Sequence, residues 1–269
     1  MQAYLCETCG VQYSPTSAPP ERCPICQDER QYINWRGQSW TTLDELSQQH
    51  KNTIKAAEPG LWEIATEPGF AIGQRAMLVQ CTKGNLLWDC TCLVNQDMVK
   101  TIQKMGGLFA VAISHPHFYS SMVEWSHAFG GIPIYLHSAD AQWVMRPDPS
   151  INYWSGDTLS LAEGLTLIRV GGHFEGSTAL HFAAGANGRG ILLSGDMPQV
   201  VSDRHYVSFM RSYPNLIPLS ASVIRTILDN LMGFSFDRLY GGWSERVVQS
   251  DAKQAVIRSA ERYLKAIEG

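Results

Sequence analysis

The sequence predicts a mixed α/β domain, two sheets face to face with helices outside, preceded by a small metal-held module. Three observations predict it. Short apolar strand-like runs and helix-spaced stretches succeed one another in two successive halves of the 269-residue chain. Four of the seven cysteines stand in two Cys-x-x-Cys pairs near the N-terminus. Three histidines and an aspartate each follow an apolar run, so they can converge at one sheet edge: His115 and His117 after Leu108 to Ile113, His173 after Leu165 to Val170, Asp196 after Ile191 to Leu193.

The cysteine pairs come first. Cys6-Glu7-Thr8-Cys9 and Cys23-Pro24-Ile25-Cys26 are separated by 13 residues rich in Pro and Ser, the first of them Gly10. Four thiolates in two knuckles close a tetrahedral shell on one ion. A segment this short buries little core, so the metal must supply much of its folding free energy. Residues 1–40 resemble a zinc ribbon and, more distantly, a rubredoxin knuckle pair, which would hold iron; zinc is the expected ion. Cys81, Cys90 and Cys92 lie in or beside apolar runs and are read as buried structural thiols.

Residues 41–60 read as a polar connector. Thr41 to Glu45 carries a helix-start signal for a short helix to His50, and Glu58-Pro59-Gly60 breaks the chain. From Leu61 the pattern changes. Leu61 to Thr66, Ala76 to Cys81 and Asn85 to Trp88 read as strands, Asn95 to Met105 as a helix and Leu108 to Ile113 as a buried strand. Tyr119 to Phe129 reads as helix, Ile132 to Leu136 as strand and Ala139 to Val144 as helix. Strands follow at Thr158 to Leu161, Leu165 to Val170, Ala179 to Ala184 and Gly190 to Leu193. Two amphipathic helices, Ala221 to Met232 and Arg246 to Ile267, flank a last strand from Phe236 to Tyr240.

Composition narrows the function. A net charge of −4 supplies no field to draw nucleic acid or an anionic membrane. No apolar run reaches the ~18 residues of a membrane span, and Met1 to Cys6 has no leader pattern. The odd number of cysteines, with paired knuckles, suits a reducing compartment, so the cytoplasm is expected.

At this point the sequence resembles the metallo-β-lactamase superfamily, whose fold is a four-layer αββα sandwich. The resemblance covers about Leu61 to Ala266 of a domain read as residues 61–269. It rests on Leu86-Leu87-Trp88-Asp89, Ser114-His115-Pro116-His117, Gly171-Gly172-His173-Phe174-Glu175-Gly176-Ser177, Leu193-Ser194-Gly195-Asp196 and Tyr240-Gly241-Gly242-Trp243, in that order. The family's first motif is His-x-His-x-Asp-His; here it ends in Tyr119-Ser120, and a late histidine is replaced by Trp243. The resemblance therefore implies one metal, zinc or iron, held by His115, His117, His173 and Asp196.

Imidazole and carboxylate donors suit zinc or iron without the resemblance. The expected function is a mononuclear hydrolase in which metal-activated water attacks an ester, thioester, amide, lactone or phosphoester of a small-molecule substrate. Asp196, or a group of the substrate, accepts the proton, and Tyr119 hydrogen-bonds a substrate oxygen or ligates. The alternatives are a mononuclear iron oxygenase of the persulfide-dioxygenase type, and a non-catalytic metal-binding sensor or scaffold. The ribbon is the candidate surface for a protein partner or self-association. Asp89 is read as a loop stabiliser.

Overall fold

The computed structural model describes residues 1–268. Its first unit wraps the two knuckles. Leu5–Cys6 pairs antiparallel with Trp40–Thr41, and a four-residue helix, Pro24–Gln27, carries the second knuckle. Helix α1 (Leu43–Gln49) starts at Thr42, whose hydroxyl accepts from the Glu45 amide while the Glu45 carboxylate accepts from the Thr42 amide. This reciprocal pair satisfies two of the donors left free at a helix start.

The connector is not all connector. Lys51–Glu58 forms strand β1, the edge of a seven-stranded sheet. Its sequence hides this, because an edge strand with mostly solvated side chains shows no apolar alternation. In chain order and in space the sheet continues with β2 (Leu61–Glu67), β3 (Ala76–Cys81), β4 (Gly84–Trp88), β5 (Leu108–Ala112), β6 (Ile134–His137) and β7 (Ile151–Trp154). The second sheet runs β8 (Thr158–Ala162), β9 (Leu165–Arg169), β10 (Thr178–Phe182), β11 (Ile191–Gly195), β12 (Arg238–Gly241) and β13 (Val247–Val248). Helices α2 (Gln96–Lys104) and α3 (Met122–Ala128) precede β6; α4 (Ala221–Met232) precedes β12, and α5 (Ala252–Glu268) ends the described chain.

Pleating explains the layers. Leu86 and Trp88 on β4 face Leu165, Leu180, Ile191 and Leu193 across the gap between the sheets. Leu87, Val111 and Ile113 face the other way, onto Met98 and Ile102 of α2, Met122 and Val123 of α3, and the four cysteines. Leu192, Ile168 and Leu239 pack outward on Ile224, Ile227 and Leu231 of α4 and Val256 of α5. The result is the expected αββα order, with the cysteine unit on the α2–α3 side.

Three local readings are corrected. The stretch read as a helix from Tyr119 opens as a 3-10 turn at Pro116–Phe118 and becomes α-helical only at Met122. Ser138–Trp143 is a 3-10 segment. The last helix begins at Ala252, because Val247 and Val248 pair with β12 as β13; β-branched side chains fit a buried ladder better than a helix start.

The topology brings the candidate ligands together. β9 and β11 are both antiparallel to β10, so their C-terminal ends share one edge. His173 lies on the loop after β9, and Asp196 immediately follows β11. His115 and His117 follow β5 in the facing sheet.

Candidate metal centre

His115, His117, His173 and Asp196 form one cluster, with one donor atom from each within 4.8 Å of every other. All four are buried, none more than 4% exposed. His173 Nε2 lies 3.1 Å from His117 Nδ1, and Asp196 Oδ2 lies 3.4 Å from His115 Nε2 and 3.8 Å from His173 Nε2.

Surrounding groups aim the rings. The Arg211 carbonyl stands 2.8 Å from His173 Nδ1, which fixes the proton there and leaves the Nε2 lone pair facing the cluster. Ser114 Oγ is 2.9 Å from His115 Nδ1. Asp89 Oδ1 accepts from the Ser114 amide at 2.8 Å, so Asp89 shapes the turn into His115, as the sequence suggested. Gly195 meets the same turn: a Cβ there would stand 2.4 Å from Ser114 Oγ. Asp196 Oδ1 accepts from Gln199 Nε2 at 3.0 Å, and Tyr213 donates to the Asp196 carbonyl at 2.8 Å.

Charge states fit a cation. Burial, then the neighbouring histidines and Arg30, hold His117 far below the ordinary imidazole pKa; burial, with His115, takes His173 down to about 3. Burial pushes Asp196 up, but hydrogen bonding and charge from His115, with His173 and Gln199, bring it below the usual carboxylate range. At neutral pH His117 and His173 are neutral imidazoles beside one carboxylate, the deprotonated donors a metal needs. The buried Nε2 of His115 faces the cluster without a close hydrogen bond, Asp196 Oδ2 standing 3.4 Å away. Unpartnered buried nitrogens cost free energy, so the residues present fit a metal ion.

Residues at the second-metal positions do other work. Ser120 Oγ accepts from Gln74 Nε2 and sits 3.7 Å from Cys92 Sγ; its carbonyl accepts from the Gln12 amide of the cysteine unit at 3.1 Å. Gly10 of the first knuckle presses on the same spot, where a Cβ would come 2.4 Å from Cys92 Sγ. The Phe118 ring lies 4.5 Å from that of His115, wedged against Gly242, with Trp243 5.7 Å away. Trp243 donates to the Ile72 carbonyl at 2.8 Å. The Tyr119 hydroxyl, expected at the reacting centre, instead points to the Asp140 carbonyl at 3.5 Å. What a second metal would fill is thus the dock of the cysteine unit.

Cys6, Cys9, Cys23 and Cys26 form the other group able to hold a metal, all buried. Sulfur separations of 3.6 Å (Cys6–Cys26) and 3.7 Å (Cys9–Cys23) are far beyond a disulfide bond, and Gln38 Nε2 donates to Cys6 Sγ. Burial pushes the Cys92 thiol up to about 12 and Cys90 well above its ordinary value, so both are inert core thiols.

Sequence reasoning missed the cover of the histidines. The Phe174 ring packs 4.9 Å from His117 and 5.1 Å from His173, and Tyr213 lies 5.7 Å from His173. Arg30, from the cysteine unit, stacks its guanidinium 4.2 Å from the Phe174 ring centre. No spacing rule relates residues 30, 174 and 213. A cavity of about 470 Å³ flanks the loop, lined by Arg169, Gly172, Arg211, Leu219 and Val223, but none of the four ligands lines it.

No family profile matches the chain. Solved structures share the fold: VMB-1 at TM-score 0.61 and 15% identity, covering 81% of this chain and 98% of that one. The DIM-1 metallo-β-lactamase aligns at 0.60 and 12%, covering 80% and 98%. FIM-1 from Pseudomonas aeruginosa, a metallo-β-lactamase in its mono-zinc form, aligns at 0.56 and 13%, covering 78% and 95%. Among curated proteins, the uncharacterized protein YmaE of Bacillus subtilis (strain 168) is 49% identical over 269 residues, 99% of this chain and 97% of YmaE. The chain belongs to the family of YmaE, and its larger domain has the metallo-β-lactamase fold.

Proposed function

We propose that the protein is a mononuclear metal-dependent hydrolase, with zinc in the histidine centre and zinc in the cysteine unit. One observation carries this reading: three histidines and one carboxylate converge with donors within 4.8 Å, while protein atoms fill the second-metal side. The mono-zinc form of FIM-1 supports the same stoichiometry on this fold.

His115, His117, His173 and Asp196 would hold the zinc, which would supply Lewis acidity toward a carbonyl or phosphoryl group and toward water at neutral pH. The residues do the rest. The Arg211 carbonyl keeps the His173 proton on Nδ1 and the donor lone pair inward. Asp196 is the one carboxylate of the cluster and stays ionised, so it is the residue placed to accept a proton; Gln199 fixes its orientation. Phe118 and Phe174 exclude water from two sides of the histidines. The reading covers ester, thioester, lactone and phosphoester substrates of small molecules, in the cytoplasm.

Elemental analysis of the purified chain tests it. Two zinc ions per chain are expected, falling to one in His115→Ala, together with loss of turnover on an ester, thioester and lactone panel. One ion per chain in the wild type, or turnover unchanged in His115→Ala, sinks the reading. A second reading, a non-catalytic metal sensor, draws on the near-complete burial of the four ligands. Two ions per chain without turnover on any of these substrates would select it.

A further inference from the structure

Besides its dock at Ser120 and the core it shares with Phe118, the cysteine unit reaches the covers of the histidine centre through a short strap. Glu29, Arg30 and Gln31 follow directly on the helix that carries Cys26. The strap pins both elements that cover the histidines. On one side, Arg30 stacks on Phe174, whose ring lies against all three histidines, and Trp143 lies 5.5 Å from the same guanidinium. On the other, the hairpin Met210–Ser212/Ile217–Pro218 reaches up to the strap backbone. Asn215 Nδ2 donates to the carbonyls of Glu29 and Gln31, both at 2.9 Å, and Ser212 Oγ donates to that of Arg30 at 3.2 Å. Arg211 pairs with the Glu29 carboxylate. This hairpin brings Tyr213 to His173 and supplies the Arg211 carbonyl that orients His173.

The strap's own fastening is polar and partly solvated. Arg30 Nε pairs only with Asp28 of its own segment, at 3.1 Å, and Gln31 Oε1 is buried without a hydrogen-bond partner. Such contacts exchange for hydrogen bonds to water at little net cost, so the strap can lift while both sheets stay intact. Behind Gln31 the chain runs out to an exposed tip at Tyr32, Ile33 and Trp35. What fixes the strap's near end is the second knuckle, whose local fold depends on a metal in the four cysteines.

We propose that Glu29–Gln31 is the closing strap of the histidine centre, and that the metal state of Cys6, Cys9, Cys23 and Cys26 thereby governs access to it. The regulatory consequence rests on the hydrolase reading; the closure itself does not. With the cysteines loaded, strap, Phe174 and hairpin seal the four ligands. Loss of that metal frees the strap and lets the two covers part, whether by chelation or by oxidation of two thiolates to a disulfide, the two electrons, with two protons from solvent, reducing hydrogen peroxide to two waters.

Access is timed on the full chain. Where the histidines hold metal, its release to pyridine-2,6-dicarboxylate is followed. Where they are metal-free, carbethoxylation of His117 and His173 by diethyl pyrocarbonate is followed by peptide mass spectrometry. His205, with its side chain 80% exposed, is the internal control. Asn215→Ala and Arg30→Ala are each expected to accelerate access at least tenfold, with the His205 rate and the far-ultraviolet circular dichroism unchanged. Wild type treated with p-hydroxymercuribenzoate to eject the cysteine metal should show the same acceleration. Variant rates equal to wild type, wild-type histidines labelled as fast as His205, or no acceleration once the cysteine metal is gone would each overturn the proposal. Failure of the hydrolase reading shows separately, as histidines without metal or loaded protein without turnover.

Discussion

At the scale of single residues, two positions carry more than their chemistry announces. Gly10 looks like an ordinary knuckle glycine, and its φ of +81° fits that role. It is also the contact point of the cysteine unit on the main domain, with Cys92 Sγ 2.4 Å from where a Cβ would stand. Cysteine is too short to swing away. Gly10→Ala is expected to cost about 1–3 kcal/mol from overpacking, plus backbone strain of order 1 kcal/mol, read as a lower urea midpoint at unchanged slope. Glu63 is the second case. Buried beside Arg75, it accepts from that guanidinium at 2.6 Å, while Ser244 and Lys55 also reach it. Burial pushes its pKa up, yet Ser244 and Arg75 together hold it below 4.5. A carboxyl with a depressed folded-state pKa stabilises fully above its unfolded value. That contribution is lost as pH falls through the folded value. The wild type should therefore lose stability below about pH 4.5, and Glu63→Gln should be less stable at pH 7 with a flatter acid limb in pH-dependent urea melts.

At the scale of elements, the loop after β9 shows how packing positions a ligand. Gly172 sits at φ +85°, and a Cβ there would meet the tips of Ile227 and Leu219 at 2.9 Å. The loop is pressed onto α4, and α4 thereby sets where His173 stands. Gly172→Ala should push the loop off α4 and weaken metal retention at the histidines about tenfold, with the cysteine metal retained; competition with a chelator, counted per site, reads this. The same loop shows what the sequence made legible. Gly171-Gly172-His173 and Gly195-Asp196 follow apolar runs, so their place at a sheet edge could be read directly, and the four residues expected to meet there form one cluster. β1 was not legible, because Lys51–Glu58 buries too little for its alternation to show. Tyr119 was read through the motif position it occupies, but motif position does not say where a phenol points. The strap was hidden for a different reason: Asn215 and Gln31 meet through backbone carbonyls, which no side-chain pattern encodes.

At the scale of the whole molecule, the cysteine unit is not an appendage. Cys6, Cys9, Val11, Ile25 and Cys26 share one continuous core with Ile113, Phe118 and Met122 of the main domain. That core reaches His115 through the Phe118 ring. A separately folded module would melt by itself; one that shares a core with the segment bearing two metal ligands should unfold with it. A metal held by the folded knuckles would stabilise them by mass action, worth about 4 kcal/mol when the free ion is a thousandfold above its dissociation constant. For a chain of this size each kcal/mol moves the melting midpoint by roughly 2–4 °C. Removing the cysteine metal should therefore lower the single calorimetric transition by roughly 8–16 °C rather than split off a small early peak. Differential scanning calorimetry before and after chelation decides it: a persistent main transition at the original temperature, with a separate low-temperature event, would mean that the unit is only tethered. A shifted single transition would mean that the cysteine unit and the main domain form one cooperative core.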